Sequence, residues 1–170
     1  MPVISCPTGK GSPWQVGFIH NSYTYNGPLQ KFTNLTESFF DISWYVSVAS
    51  FATTGTDNVP GATRSGLFAG GIFNESLTAY LHNSETLEYT YLGMPSTSTQ
   101  PPLKYHSYAE TFRFESICNG RATYIDVITY SCIDNQVVAY NSWYTLHTTS
   151  FQAMAASLGA TVMAGDCPRS

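Results

Sequence analysis

Apolar and polar residues alternate along this chain with two different periods, and each change of period marks an element. From Phe73 to Leu81 the period is two: Phe73, Glu75, Leu77, Ala79 and Leu81 share one face, and Asn74, Ser76, Thr78 and Tyr80 the other. Gly61 to Leu77 as a whole predicts a strand, a glycine-rich, mobile turn at Gly66 to Gly71 and a second strand. Thr86 to Leu92 repeats the pattern, with Leu87, Tyr89 and Tyr91 on one face. Tyr105 to Cys118 and Arg121 to Ile133 read as a long hairpin about Asn119-Gly120, a two-residue turn signal. Trp14 to Ile19 and Ile42 to Ala52 are the remaining β-rich runs; Asn21 to Pro28 reads as turn, and Thr53 to Pro60 and Met94 to Pro102 read as loops.

Helical spacing occurs twice. Leu29 to Phe40 fits one or two short turns, and Asn141 to Ala160 predicts a long helix capped by Asn141 or Ser142 and stopped at Gly159. Trp143, Tyr144, His147, Phe151, Met154, Ala155 and Leu158 fall on one side of it. The order predicts a single α+β domain over residues 1–170, a curved antiparallel sheet wrapped around a long C-terminal helix and enclosing a cavity.

Glu75 is out of place on its apolar face. A carboxylate there must be paired, hydrogen-bonded, protonated or turned toward a cavity, since an isolated buried charge is too costly. An ion pair with Arg64 on the neighbouring strand is the plainest solution, and it is compatible with a chemical role. On Tyr105 to Cys118 the even positions His106, Tyr108, Glu110, Phe112 and Phe114 form the more apolar face and are favoured as interior; the opposite register would bury Tyr105, Ala109 and Ile117. Asp126 falls opposite the aliphatic face of its strand and is expected outside. His147 lies on the apolar stripe of the last helix, where a histidine is either a satisfied core residue or part of a site.

Composition narrows the partner. Charged residues make up 11% and aromatics 15%, and seven Lys and Arg give a net charge of −4 without a basic cluster. Nucleic acid and anionic membranes are not expected partners, while a hydrophobic small molecule is. Homodimerisation is left open. The four histidines lack metal-ligand spacing and no nucleotide-binding motif is complete, so neither a metal nor another cofactor is expected.

Cys6, Cys118, Cys132 and Cys167 form no CxxC motif. The Asn119-Gly120 turn would place Cys118 opposite Arg121 and Cys132 opposite Ser107, and if that hairpin forms a Cys118 to Cys132 bridge is not expected. A Cys6 to Cys167 bridge would tie the termini, but four free thiols are preferred. Asn34-Leu-Thr36 and Asn74-Glu-Ser76 are sequons for N-glycosylation. The polar, proline-bearing start is unlike a signal peptide, and a cytoplasmic location is expected unless a leader has been removed.

Gly61-Ala-Thr-Arg64, Gly70-Gly71, Asn74-Glu75-Ser76-Leu77 and Leu87-Glu-Tyr-Thr-Tyr91 together resemble the polyketide cyclase/dehydratase branch of the START-like helix-grip (SRPBCC) superfamily, over about residues 40 to 160. Ser65-Gly-Leu-Phe-Ala69 and Pro102-Leu103-Lys104-Tyr105 are similar to the gate and latch of plant abscisic-acid receptors, in which the glutamate matching Glu75 faces the ligand. Those receptors hold an acidic ligand with an early-strand lysine. Ile42 to Ala52 has none, and Phe68 stands in place of the gate proline, so that particular ligand is not expected.

The resemblance implies a cofactor-independent cyclase or isomerase, dehydrating or pericyclic, acting on a polyketide- or terpenoid-like intermediate. Glu75 is the expected acid, base or hydrogen-bonding group, assisted by His147, His106 and Tyr108. Arg64, Leu67, Phe68 and Phe73 are expected to line the cavity from the first hairpin, Tyr89 and Tyr91 from the next strand. Glu110 and Phe112 join them from the long hairpin, and Trp143, Tyr144 and Phe151 from the helix. A non-catalytic carrier or receptor is the alternative, and a secreted interaction protein with a filled core a third.

Overall fold

The computed structural model describes residues 4–167; Met1 to Val3, at the start of the loop expected over Met1 to Pro13, lie outside them. In chain order the elements are β1 (Gln15–Asn26), α1 (Leu29–Thr36), β2 (Ala49–Thr54), β3 (Thr63–Phe68), β4 (Gly71–His82), β5 (Thr86–Gly93), β6 (Ser96–Thr99), β7 (Pro102–Ile117), β8 (Ala122–Ile133) and α2 (Gln136–Ser157). The strands form one antiparallel sheet in the order β1-β8-β7-β5-β4-β3-β2, with β6 paired to β7. The sheet curves around α2 in the expected helix-grip arrangement. No helix among the described residues is long and apolar enough to cross a membrane.

The Asn119-Gly120 turn sets the register of β7 and β8: the Arg121 amide donates to the Cys118 carbonyl, and Cys132 stands opposite Ser107, as the turn predicts. Several boundaries differ from expectation. β1 runs on through Asn21 to Asn26, because Asn21, Tyr23 and Tyr25 continue the inward alternation begun at Ile19. The Ile42 to Ala52 run divides: Ile42 to Val46 is a turn on Ile42's carbonyl, and only Ala49–Thr54 joins the sheet as an exposed edge strand. Met94 to Pro102 is not a long loop, since β6 pairs with β7 in the same register as β5 does. β5 and β6 are thus one strand interrupted at Met94-Pro95, where proline cannot donate to the ladder.

The turn between β3 and β4 is tighter than expected. Phe68 pairs with Gly71, leaving Ala69 and Gly70 as a two-residue loop with φ of 51° and 71°, the positive pair that a type I′ hairpin requires. The Ala69 carbonyl also accepts from the amides of Thr99 and Gln100, which joins this tip to that of the β6–β7 hairpin. Of the residues similar to a gate and a latch, Ser65 to Phe68 lie in β3 and Pro102 to Tyr105 in β7.

α2 begins five residues before the expected start. The side chain of Asn135, not Asn141 or Ser142, accepts from the Val138 amide as N-cap, while Gly159 follows the helix at φ 61° as its stop. Phe151, Met154 and Ala155 of its buried face meet Phe32, Phe39, Phe112 and Phe114 in an aromatic core that α1 closes with Leu29 and Phe32. Truncating one such phenylalanine to alanine costs about 3–5 kcal/mol. The core occupies part of the concave side, and the rest holds a cavity.

The cysteines are not free thiols, and the bridge considered between the two terminal ones does not form. Cys6 pairs with Cys132 and Cys118 with Cys167, at Cα separations of 5.4 and 5.3 Å. Each bridge fastens one terminal segment to the β7–β8 hairpin.

Candidate functional site

Two cross-strand rows build the site. In the first, Arg64 on β3 stands opposite Glu75 on β4, Glu75 opposite Gly93 on β5, and Gly93 opposite Tyr108 on β7. Residues paired in this way point to the same face. Gly93 is required here because any Cβ would overlap the Tyr108 ring, which lies across the bare β5 backbone. Tyr108 thereby reaches over a whole strand to donate its hydroxyl to Glu75 Oε1 at 2.7 Å. The other carboxylate oxygen, Oε2, accepts from Arg64 Nε at 2.7 Å. Arg64 is fixed in turn by an Nη1 donation to the Phe39 carbonyl at 2.8 Å and by the Phe39 and Tyr91 rings, whose centroids lie 4.3 and 4.6 Å from its guanidinium carbon.

The second row sets Tyr91 opposite Glu110 and Glu110 opposite Thr129. Glu110 is wholly buried and accepts three hydrogen bonds: from the Tyr91 hydroxyl, from Thr129 Oγ1 at 2.7 Å and from His147 Nε2 at 2.9 Å. His147 Nδ1 lies 2.8 Å from Asn21 Oδ1, so each ring nitrogen faces an oxygen.

Burial sets the electrostatics of the first row. It pushes the Glu75 carboxyl above the usual carboxylate range, an effect that Arg64 and the Tyr108 hydroxyl offset only in part. The Tyr108 hydroxyl is raised well above its ordinary value, first by burial and then by the negative Glu75, so it remains a proton donor. Burial works against the Arg64 charge, but Glu75 and the surrounding tyrosines outweigh it and Arg64 stays protonated.

Members of both rows border a cavity of about 540 Å³. Arg64, Glu75, Tyr91, Tyr108 and Glu110 all line it. Its walls are largely apolar: Phe68, Ile72 and Phe73 from the β3–β4 hairpin, Pro101 from the β6–β7 tip, Ile42 and Val46 from the turn before β2, and Trp143 and Leu146 from α2. An apolar enclosure with a few convergent polar groups is the usual form of a small-molecule site.

Of the residues expected at the site, Glu75, Arg64, Tyr108, Glu110, Tyr91, Phe68, Phe73 and Trp143 do line the cavity. Leu67 and Tyr144 do not. Leu67 alternates outward on β3, and Tyr144 is exposed on the far side of α2, stacked on Tyr140. Tyr89, Phe112 and Phe151 belong to the aromatic core beside the cavity. His106 is turned away by a register shift between Tyr105 and Ser107, which brings Tyr105 inward instead and sets His106 against Trp14, ring centroids 5.3 Å apart. His147 is fully buried behind Glu110 and does not line the cavity, so it can act there only through that carboxylate.

Sequence reasoning missed Tyr45, Tyr105, Gly93, Asn21 and Thr129. Tyr45 lies in the segment read as a strand; the turn on Ile42 aims it into the cavity, and Ser150 on α2 holds its carbonyl at 2.7 Å. Among the described residues its buried hydroxyl has no hydrogen-bond partner. A glycine ending the Leu87 to Leu92 alternation is the signal that could have located the Tyr108 crossing.

No protein-family profile matches the chain, and no curated protein matches it significantly. Solved structures do share the fold. A norcoclaurine synthase from Thalictrum flavum, in complex with dopamine and hydroxybenzaldehyde, is 12% identical with a TM-score of 0.58, over 93% of this chain and 94% of that one. Ara h 8.0201 is 14% identical with a TM-score of 0.62, over 85% of this chain and 98% of its own. A protein from Nitrosospira multiformis is 19% identical with a TM-score of 0.63, over 84% and 96%. At these identities the likeness is one of fold.

Proposed function

We propose that this protein is a cofactor-independent cyclase or isomerase that holds a hydrophobic, polyketide- or terpenoid-like intermediate in the cavity and uses Glu75 as its acid, base or hydrogen-bonding group. One observation carries the reading: a buried carboxyl, held from both sides by Arg64 and Tyr108, lines a largely apolar cavity, and burial raises its pKa. Raising a carboxyl pKa toward neutrality suits it to give and take a proton at working pH. The Tyr108 hydroxyl can hold the Glu75 carboxylate or, turned from it, donate its one hydrogen bond to a developing oxyanion, and Arg64 keeps the carboxylate aimed. The apolar walls would hold a reactive conformer, which for a ring closure or dehydration supplies much of the rate. A place in the polyketide cyclase/dehydratase branch of the superfamily accords with the fold and with the Gly61 to Leu77 motif. That a protein of this fold was solved with two aromatic small molecules bound accords with the cavity as the working site.

Carriage without chemistry is the second reading, favoured by the mutual satisfaction of the polar groups. The two separate on one experiment. Incubation with the lipophilic extract of the source organism, followed by liquid chromatography and mass spectrometry, is expected to convert one component into an isomer or into a product lighter by one water. A component that is bound and returned unchanged would mark a carrier.

A further inference from the structure

We infer that this chain matures in an oxidising secretory compartment and carries N-linked oligosaccharides on Asn34 and Asn74. Two independent features lead there, and neither depends on what the cavity binds.

The first is the use of cysteine. All four are consumed in two bridges, spanning 126 and 49 residues of sequence. One joins the segment before β1 to the end of β8, and the other joins the tail after α2 to the β7–β8 turn. No pair is close in sequence as in a dithiol redox motif, and both are staples across the tertiary fold. A reducing cytosol keeps such thiols apart, whereas an oxidising lumen forms and preserves the bridges. Each bridge forms as two thiols give up two electrons and two protons to a disulfide-bearing oxidoreductase, which is itself reduced to the dithiol. The structure therefore argues against the cytoplasmic location expected from the sequence.

The second is the placement of the two sequons. Asn34 is exposed on α1 while its neighbours Thr33 and Thr36 are buried. Asn74 is exposed on β4 between Phe73 and Glu75, which line the cavity, so alternation turns it to the opposite face of the sheet. Both residues are exposed, and Asn74's side chain points away from the cavity. In the folded chain the Thr36 hydroxyl is buried and donates to the Phe32 carbonyl at 3.2 Å. Transfer to Asn34 thus takes place before α1 closes, as it does on a chain entering the lumen. The step is a substitution: the asparagine amide nitrogen bonds to the anomeric carbon of a lipid-linked oligosaccharyl diphosphate, the sugar to phosphate bond breaks, and the lipid diphosphate leaves as the amide loses one proton.

The test uses the protein purified from its natural source, alkylated under denaturing conditions without reduction, then mapped by peptide mass spectrometry before and after treatment with peptide N-glycosidase. The expected result is four unalkylated cysteines in the pairs Cys6 to Cys132 and Cys118 to Cys167, with Asn34 and Asn74 each converted to aspartate by the enzyme. Unmodified Asn34 and Asn74 would overturn the proposal whatever the state of the cysteines, and so would alkylation of all four. A glycan at one site alone would overturn the assignment of the other.

Discussion

Glu75 is the residue on which charge, burial and chemistry converge. Folding removes most of its water and supplies two hydrogen bonds in return, and the balance still favours the protonated form relative to an exposed carboxyl. The sign of the linked pH effect follows. Because the folded pKa is raised, the folded protein binds this proton more tightly than the unfolded chain does. The stability contributed is complete below the ordinary value of 4.5 and falls as pH rises through the folded value. Urea unfolding at a series of pH values is expected to show this decline in the wild type and a flatter profile in Glu75→Gln; parallel profiles would remove Glu75 as its source. Much of this residue's environment was legible in the chain. Period-two alternation placed it inward and the hairpin placed Arg64 beside it. Its second partner was not legible as such, because Tyr108 comes from a strand two positions away in the sheet and is brought within reach only by the gap at Gly93.

The elements show why alternation fails in particular places. β4 keeps its expected face through Leu77, then a register irregularity between Leu77 and Ala79 reverses it: Tyr80 turns inward to stack on Tyr89, and Leu81 is exposed. β7 slips in the same way between Tyr105 and Ser107, which is why His106 leaves the interior. An extra residue in one strand inverts everything beyond it, and nothing in the local composition announces it. The cross-strand row gives an element-scale prediction. Gly93→Ala puts a methyl group where the Tyr108 ring lies, so the ring must lift and its hydrogen bond to Glu75 break. Overpacking of this kind costs about 1–3 kcal/mol. Thermal unfolding is expected to show that loss, and Tyr108→Ala in the same chain should recover the part due to the clash; equal destabilisation with and without the ring would rule the contact out.

At the scale of the whole molecule, the sheet and α2 border the cavity, and the two bridges fasten the terminal segments to the sheet. The sheet-and-helix order was legible from the periods alone, since strand and helix patterns differ in kind. The cysteine pairing was not, because it depends on where the terminal segments cross the sheet. The tail after α2 returns to pair with the end of β1, the Asn26 amide donating to the Thr161 carbonyl at 3.0 Å, and Cys118 to Cys167 fastens it there. Replacing both cysteines of that bridge by serine is expected to lower stability by about 2–5 kcal/mol. Hydrogen exchange at Asn26 should accelerate while the amides in the middle of β7 keep their order of protection. Unchanged exchange at Asn26 would show that the tail holds itself.

The most direct test of Glu75 as the working group compares wild type and Glu75→Gln on whichever extract component the protein converts. Native mass spectrometry measures binding, and chromatography of the same mixture measures product. Glutamine keeps the size and the hydrogen-bonding reach but cannot carry the proton, so the variant is expected to hold the component and form product about a hundredfold more slowly or worse. Conversion by Glu75→Gln at the wild-type rate would contradict the proposed role.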